Sequence, residues 1–387
     1  MGDEQRLTPD EQIEFAREGF ESTTDFSVAV EEEFALLDPE TLELTNRFEE
    51  LQAASVGTEL EQHLVGELIA SEVEVKTGRC DGFAEAAARM VERRDQLQAL
   101  AAKLGIGLAS TGTHPWSRWQ DQRIIDTPHY RRNDEILQYV VWRNNSFGIH
   151  VHISIHGADR AIHVANGFRR FLPELLALSA SSPFVEAVNT GLHSARTQIF
   201  TRMFPRCGVP DAYADWTEFE RYVRFLYETE SIDQHTQLWW SVRPHLGFPT
   251  VEVRICDAQP DLAQAQSLAA LMYALGVRIA RAVDEREPLL DPPRRLIEEN
   301  LWRAIRHGLS GGLIDFDRRS VVPARARLEA VVEWVLPVAE EIGAAPYLVV
   351  PAANAAEQQR ARHDEGATLE QIYADLALVP PRELVGG

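Results

Sequence analysis

Four short stretches of this chain alternate strictly between apolar and polar residues, and their polar positions are unusually rich in acids. In 147–156 (FGIHVHISIH), Phe147, Ile149, Val151, Ile153 and Ile155 share one parity, and His150, His152, Ser154 and His156 share the other. In 250–256 (TVEVRIC), Val251, Val253 and Ile255 oppose Thr250, Glu252, Arg254 and Cys256. In 71–77 (SEVEVKT), Val73 and Val75 oppose Glu72, Glu74 and Lys76. In 27–37 (SVAVEEEFALL), Val28, Val30, Phe34 and Leu36 oppose Ala29, Glu31, Glu33 and Ala35. Glu32 falls on the apolar side there, which requires a bulge or a buried partner. Strand side chains alternate with period two, so each segment buries one side and presents acid, histidine or arginine on the other.

One polar face per strand indicates a mostly antiparallel sheet with helices on its other side. Apolar residues recurring at three and four predict those helices over about 82–104, 160–181, 216–229, 261–284, 294–309, 323–342 and 354–376. If the four strands are neighbours, their shared face gathers Glu31, Glu33, Glu74, His150, Glu252 and Arg254. Several carboxylates close together stay ionised only when a cation offsets them. Oxygen donors with one imidazole suit Mg²⁺ or Mn²⁺ better than zinc. A merely solvated sheet face is the competing reading, and four strands repeating the pattern weigh against it. The His150-x-His152 pair gives a rival activity, a metal-dependent hydrolase. No His/Asp series follows at later strand ends to support it, and the βα alternation of a barrel is missing.

Charge narrows the partners. With 38 basic against 60 acidic residues among 387, the net charge is −22. Such a field repels phosphate backbones and anionic lipid, so neither nucleic acid nor membrane is expected, and a bound nucleotide needs cations or local arginines. No uncharged run approaches the roughly 18 apolar residues of a membrane span. The acidic, polar start lacks the features of a secretory signal. Cys80, Cys207 and Cys256 are too few and too scattered for a disulfide framework. A cytoplasmic protein is expected, organised as a polar lead-in (1–24), one domain (25–378) and a tail (379–387).

The stretches AVEEEFALLDPETLEL, ELIASEVEVKTG, GTHPWSRWQDQRI, GIHVHISI, NTGLHSARTQIF, RPHLGFPTVEVRICDAQ and ENLWRAIRHGL follow one another from about Asp25 to about Leu378. In that order they resemble the carboxylate-amine ligases of the type-2 glutamate–cysteine ligase family. The resemblance implies an α+β, glutamine synthetase-like fold: a curved, mostly antiparallel sheet with one open functional face and helices packed outside. It implies ATP and Mg²⁺ or Mn²⁺ as cofactors, small amino-acid substrates and a homodimer. The reaction implied joins a carboxylate, the γ-carboxylate of glutamate, to an amine through an acyl-phosphate, with cysteine the acceptor in the family's name. Carried over motif by motif, the metal ligands fall on Glu31, Glu33, Glu67, Glu74, His150 and Glu252. The catalytic pair falls on Glu252 and Arg254, the arginine also binding the nucleotide's phosphate.

Weaker candidates for substrate binding are Arg196 of HSAR and Arg243 of RPH, through bidentate pairing with a carboxylate. A structural ion pair is the alternative for each. His114, in a Gly112-Thr113-His114-Pro115 turn, and Trp116 as a wall would complete a substrate loop, with a purely structural turn as the alternative. His152 either supports the metal's ligands or is a polar strand neighbour without a role, and the second reading is preferred. The chain departs from the family pattern at Ala29-Val30, Ser146-Phe147 and His193-Ser194-Ala195. These positions flank the acceptor pocket and leave the amine open. Besides a hydrolase, a non-catalytic Mg-nucleotide-binding relative and a phosphagen-type kinase are the rival readings.

Overall fold

The computed structural model describes residues 8–378, so the first seven residues of the expected lead-in and the tail 379–387 lie outside the described residues. Nine strands come first along the chain: β1 (Val28–Leu37), β2 (Leu64–Val65), β3 (Glu72–Lys76), β4 (Gly107–Ala109), β5 (Ile149–Ser154), β6 (Phe184–Val185), β7 (Val188–Asn189), β8 (Val242–Pro244) and β9 (Thr250–Val253). Seven of them form one antiparallel sheet in the order β2-β3-β1-β5-β9-β8, with β4 taking over from β5 along the later part of β1. β6 pairs only with β7, and β10 (Gly312–Asp315) with β11 (Ser320–Pro323), as separate hairpins.

The helices, in chain order, are α1 (Pro9–Ser22), α2 (Phe48–Ser55), α3 (Phe83–Leu104), α4 (Pro128–Leu137), α5 (Tyr139–Trp142), α6 (Ala158–Phe168) and α7 (Leu172–Ser179). They continue with α8 (Ala195–Met203), α9 (Trp216–Glu228), α10 (Leu262–Asp284), α11 (Arg294–His307), α12 (Ala324–Glu341), α13 (Ala355–Asp364) and α14 (Leu369–Leu376). α3, α9, α10, α11 and α12 match the expected spans within two residues. The expected 160–181 helix is instead two helices joined by a 3₁₀ turn, Arg169–Phe171, with Pro173 opening α7. Proline has no N–H for a continuous helix but fits a first turn. The expected 354–376 helix also divides: Gly366 at φ +98° follows α13, and Thr368 caps α14 with Gln371 in a capping box. Residues 9–22 do more than lead in, since Ile13, Ala16 and Phe20 of α1 are buried in the main core.

The apolar parity of β5, β9 and the start of β1 faces that core, while Phe34, Leu36, Val73 and Val75 pack in a second cluster against α2 and α3. Val30, Val151, Ile153, Val251 and Val253 are fully buried there, together with α10, most of whose surface is apolar and buried. α10 crosses β5 closely: a Cβ on Gly276 would stand 2.5 Å from Ile153 Cδ1, so glycine's cost inside a helix, about 1 kcal/mol relative to alanine, is accepted for contact. Glu32 resolves without a bulge, because β1 runs in register through it. Its partner is buried: Arg94 of α3 donates to Glu32 Oε1 from Nη2 at 2.6 Å and from Nε at 3.2 Å. Among the described residues no helix is long and apolar enough to cross a membrane.

Candidate active site

Pairing in register turns the sequence parity into one polar surface. β1 lies between β3 and β5, so Glu31 stands opposite Lys76 on one side and His150 on the other, while Glu33 pairs with Glu74. One strand further, His152 pairs with Glu252, and Glu252 with Arg243 of β8. Lys76 Nζ reaches Glu31 at 2.9 Å and Glu74 at 2.8 Å. His150 lies between the acids of β1, 3.5 Å from Glu31 and 3.6 Å from Glu33. His152 Nε2 lies 3.5 Å from Glu31 and 3.7 Å from Glu252. Arg243 Nε donates to one oxygen of Glu252 at 2.7 Å, and Arg254 donates to the other. Glu67, in the loop between β2 and β3, joins Glu33 and Glu74 with ligand atoms within 4.8 Å of one another.

This surface is not solvated. Glu252, Glu74 and His150 are only 1%, 2% and 3% exposed, and removing a carboxylate from water is costly unless a partner compensates. The protonation equilibria record that cost. Burial, aided by Glu33, pushes Glu67 up to about 7. Burial likewise pushes Glu72 and Glu74 well above the ordinary carboxylate range, with Glu33 and Glu31 as their strongest acidic neighbours. Two acids go the other way. Burial opposes ionisation of Glu31, but His152, His150 and Lys76 together hold it well below that range. Arg243 and Arg254 outweigh burial in the same way at Glu252.

The donors suit a hard divalent cation. Three sets, Glu31/Glu74/His150, Glu31/His152/Glu252 and Glu33/Glu67/Glu74, each bring their ligand atoms within 4.8 Å of one another. Glu72 Oε2, His150 Nδ1 and His152 Nε2 are buried with no hydrogen-bond partner among the described residues. Buried lone pairs left unmatched in this way are what a metal ion would satisfy, and the oxygen-rich set favours Mg²⁺ or Mn²⁺.

Two openings meet at the band of acids. A cavity of about 100 Å³ includes Glu33, Glu67, Glu72, His150, Arg196 and Arg254 in its wall. It is covered by Tyr130 and Leu137 of α4, Val141 of α5 and Phe200 of α8. A cleft of about 310 Å³ includes Glu31, Lys76 and His152, and its remaining wall is largely apolar, with Val28, Ala29 and Phe248.

The expected substrate residues fare differently. Arg196 reaches the cavity because the residue opposite is Gly148, where a Cβ would stand 2.2 Å from Arg196 Nη2. Its Nη1 donates to Ile255 O at 3.2 Å and lies 3.9 Å from the buried carboxylate of Asp257, the ion pair of the structural alternative, while its Nε is buried without a hydrogen-bond partner among the described residues. Arg243 is committed elsewhere, to Glu252 and to the carbonyls of Thr236 at 3.2 Å and Leu238 at 2.5 Å. It follows the structural alternative. His114 and Trp116 are also not brought to either opening. His114 Nε2 bonds Leu42 O at 2.8 Å, its Nδ1 accepts from the backbone N–H of Ser117 at 2.9 Å, and its ring meets Trp116 and Tyr373 edge-on. Burial pushes its pKa down to about 3, so it is a neutral turn-forming group.

Two groups to which the sequence assigned no ligand role are brought to the site by the structure. His152 bridges Glu31 and Glu252, and its Nδ1 is fixed by Thr250 Oγ1 at 2.9 Å. Glu72 shares the cavity with Glu33 and Glu67. Both have the parity of the acids beside them, which was a sufficient signal. Tyr130, whose hydroxyl donates to Gly66 O at 2.6 Å, had none, because it comes from a helix with no apolar stripe.

Comparison with known proteins gives a consistent picture. The sequence profile of glutamate-cysteine ligase family 2 (GCS2) matches residues 27–376. A relative from Solibacter usitatus (strain Ellin6076), provisionally named glutamate–cysteine ligase 2, is 38% identical over 346 residues, 88% of this chain and 90% of its own. One from Rubrobacter xylanophilus (strain DSM 9941), provisionally named glutamate–cysteine ligase 2-3, is 39% identical over 363 residues, 92% of this chain and 98% of its own. In fold, the chain is similar to the glutamate–cysteine ligase of Francisella tularensis solved in complex with AMP. The TM-score is 0.65 at 14% identity, covering 94% of this chain and 90% of that one.

Proposed function

The chain belongs to glutamate-cysteine ligase family 2, and from that premise we propose how its two openings divide the work of an ATP-dependent carboxylate-amine ligase. The observation that carries the reading is that both openings share one band of acids, Glu31 and His152 facing the cleft and Glu33, Glu67, Glu72 and His150 facing the cavity. The apolar cleft takes the adenosine of ATP, and Lys76 meets its phosphates. The polar cavity takes glutamate, with its α-carboxylate on Arg196, its α-ammonium on Glu72 and its γ-carboxylate towards Arg254. The metal ligands are Glu31, Glu33, Glu67, Glu74, His150 and Glu252, with His152 added to them. Bound Mg²⁺ would neutralise the charge of the phosphates.

Phosphoryl transfer leaves the protein little covalent work, so alignment and charge compensation dominate. The γ-carboxylate oxygen attacks the γ-phosphorus of ATP, the bond to ADP breaks, and an acyl-phosphate forms. Arg254, oriented by Glu252, stabilises the charge on the transferring group. The neutral amine then attacks the acyl carbon, a C–N bond forms, and phosphate departs with the electron pair and the nitrogen's proton.

Glu252→Gln and Arg254→Ala are each expected to lower the rate by about a hundredfold or more with the fold intact by circular dichroism. The assay is ADP release with Mg-ATP and glutamate across a panel of amines, with mass detection of the γ-glutamyl product. Full ligation by either variant removes these residues from the mechanism. Turnover of a substrate without any nucleotide would instead favour the hydrolase reading built on His150 and His152.

A further inference from the structure

Resting on the metal and ATP sites proposed above, we infer that Lys76 is a displaceable stand-in for the divalent cation. It holds Glu31 and Glu74 in the metal-free protein and turns to the phosphates of ATP once a metal ion takes those carboxylates. The position of its ammonium carries the inference. Nζ stands 2.9 Å from Glu31 and 2.8 Å from Glu74. The same two carboxylates form, with His150, one of the sets whose ligand atoms lie within 4.8 Å of one another. One positive charge thus occupies the neighbourhood that a bound ion would share with the same oxygens. Buried carboxylates left uncompensated are strongly destabilising, so the metal-free fold needs a cation of its own.

The fit is incomplete in the way a temporary occupant requires. Glu74 Oε1 is buried with no hydrogen bond among the described residues, so Lys76 offsets its charge and leaves its lone pairs open. His150 Nδ1 in the same set is unpartnered too. The lysine is also freer than its partners. Its side chain is 35% exposed, against 12% for Glu31 and 2% for Glu74. It ends β3 and lies in the wall of the cleft, which also includes Glu31. Leaving the acids therefore returns the ammonium to water or to phosphate, and its flexible stem bends without moving the strand. Residue type agrees. Lys76 and Lys103 are the only lysines among 38 basic residues, and the cations that clamp Glu252 are the arginines Arg243 and Arg254. A guanidinium fork grips carboxylates in a fixed geometry, whereas an ammonium is a hydrated point charge that is readily exchanged.

The test is Mn²⁺ binding to the full-length protein without nucleotide, at fixed pH, followed by the electron paramagnetic resonance of free Mn²⁺. Lys76→Met removes the competitor. It should bind Mn²⁺ about tenfold more tightly, the scale of one charged contact that no longer has to be broken, while its KM for ATP rises. Its melting temperature should fall without metal and return to the wild-type value at saturating Mn²⁺. Lys76→Arg keeps the charge but grips both acids, so it should bind Mn²⁺ more weakly than the wild type; it decides the question if the methionine variant does not fold. Equal or weaker Mn²⁺ binding by Lys76→Met, or unchanged binding by Lys76→Arg, makes the lysine a fixed support and overturns the inference, leaving the ligase reading standing. A wild-type protein that binds no Mn²⁺ removes the metal site proposed above, and this inference with it.

Discussion

Gly148 lies where the carbonyl of Cys256 and the guanidinium of Arg196 leave no room for a side chain. A Cβ there would meet Arg196 Cζ at 2.8 Å and Cys256 O at 3.1 Å. Gly148→Ala should therefore displace Arg196 before it disturbs the acids, raising KM for the carboxylate donor by about tenfold, the scale of one lost charged contact. KM for ATP should change far less. Steady-state kinetics on both substrates checks this, and equal effects on the two would mean that the glycine serves the sheet and not the arginine. The same scale explains His114. Its sequence context, a Gly-Thr-His-Pro turn, looks like a binding loop, but its ring nitrogens are used by Leu42 O and Ser117 N. A turn's composition reports its backbone geometry and says nothing about which way it faces.

Between elements, the tie that most nearly fixes the sheet against its helices is Glu32 of β1 with Arg94 of α3. Both side chains are buried, at 7% and 3% exposure, and Arg94 also donates to Gln259 O at 2.9 Å and Pro260 O at 3.2 Å. Arg94→Ala leaves a buried, uncompensated carboxylate, so a loss of about 3–5 kcal/mol is expected. Urea denaturation measures it, and a loss under about 1 kcal/mol would sink the claim. The double variant Glu32→Gln/Arg94→Met, which removes both charges, should be milder than the single one. Element-level legibility followed burial. α10 and α3 were readable because each buries an apolar stripe. α4 was not, since Asn133 is the one residue it buries and its few apolar side chains form no continuous stripe. α8 was missed for a related reason: what it buries is Ala195, Arg196 and Thr197 at its start, a functional end and not a stripe.

For the molecule as a whole, the packed acids couple stability to pH and to metal. Glu67, at about 7, and Glu72 and Glu74, also raised, hold protons in the folded state that the unfolded chain has already released. Where the folded state binds more protons, stability falls as pH rises. For these groups that fall begins above the unfolded carboxylate pKa and continues through neutrality. Glu31 and Glu252, held low, act oppositely, contributing stability at neutral pH that is lost as the solution is acidified through their folded pKa values. The metal-free protein should thus melt a few degrees lower at pH 8 than at pH 6. Mg²⁺ or Mn²⁺ competes with those protons, so its stabilisation should be larger at pH 8. Calorimetry with and without metal checks both signs, and a metal-free protein more stable at pH 8 would contradict the electrostatic account.

The sequence by itself determined which residues share a face, because the period of two is fixed by the pleat of each strand and needs no knowledge of its neighbours. It therefore put Glu31, Glu33, Glu74, His150 and Glu252 on polar faces, and marked Glu32 as the exception needing a partner. The tertiary structure alone decided that the strands lie in the order β3-β1-β5-β9-β8, that the polar face is buried under α4, α5 and α8, and that one arginine of two reaches the cavity while His114 turns away. Those outcomes depend on pairing and packing between segments tens to hundreds of residues apart, such as His114 with Tyr373 or Gly148 with Arg196 and Cys256. Local periodicity carries no information about them.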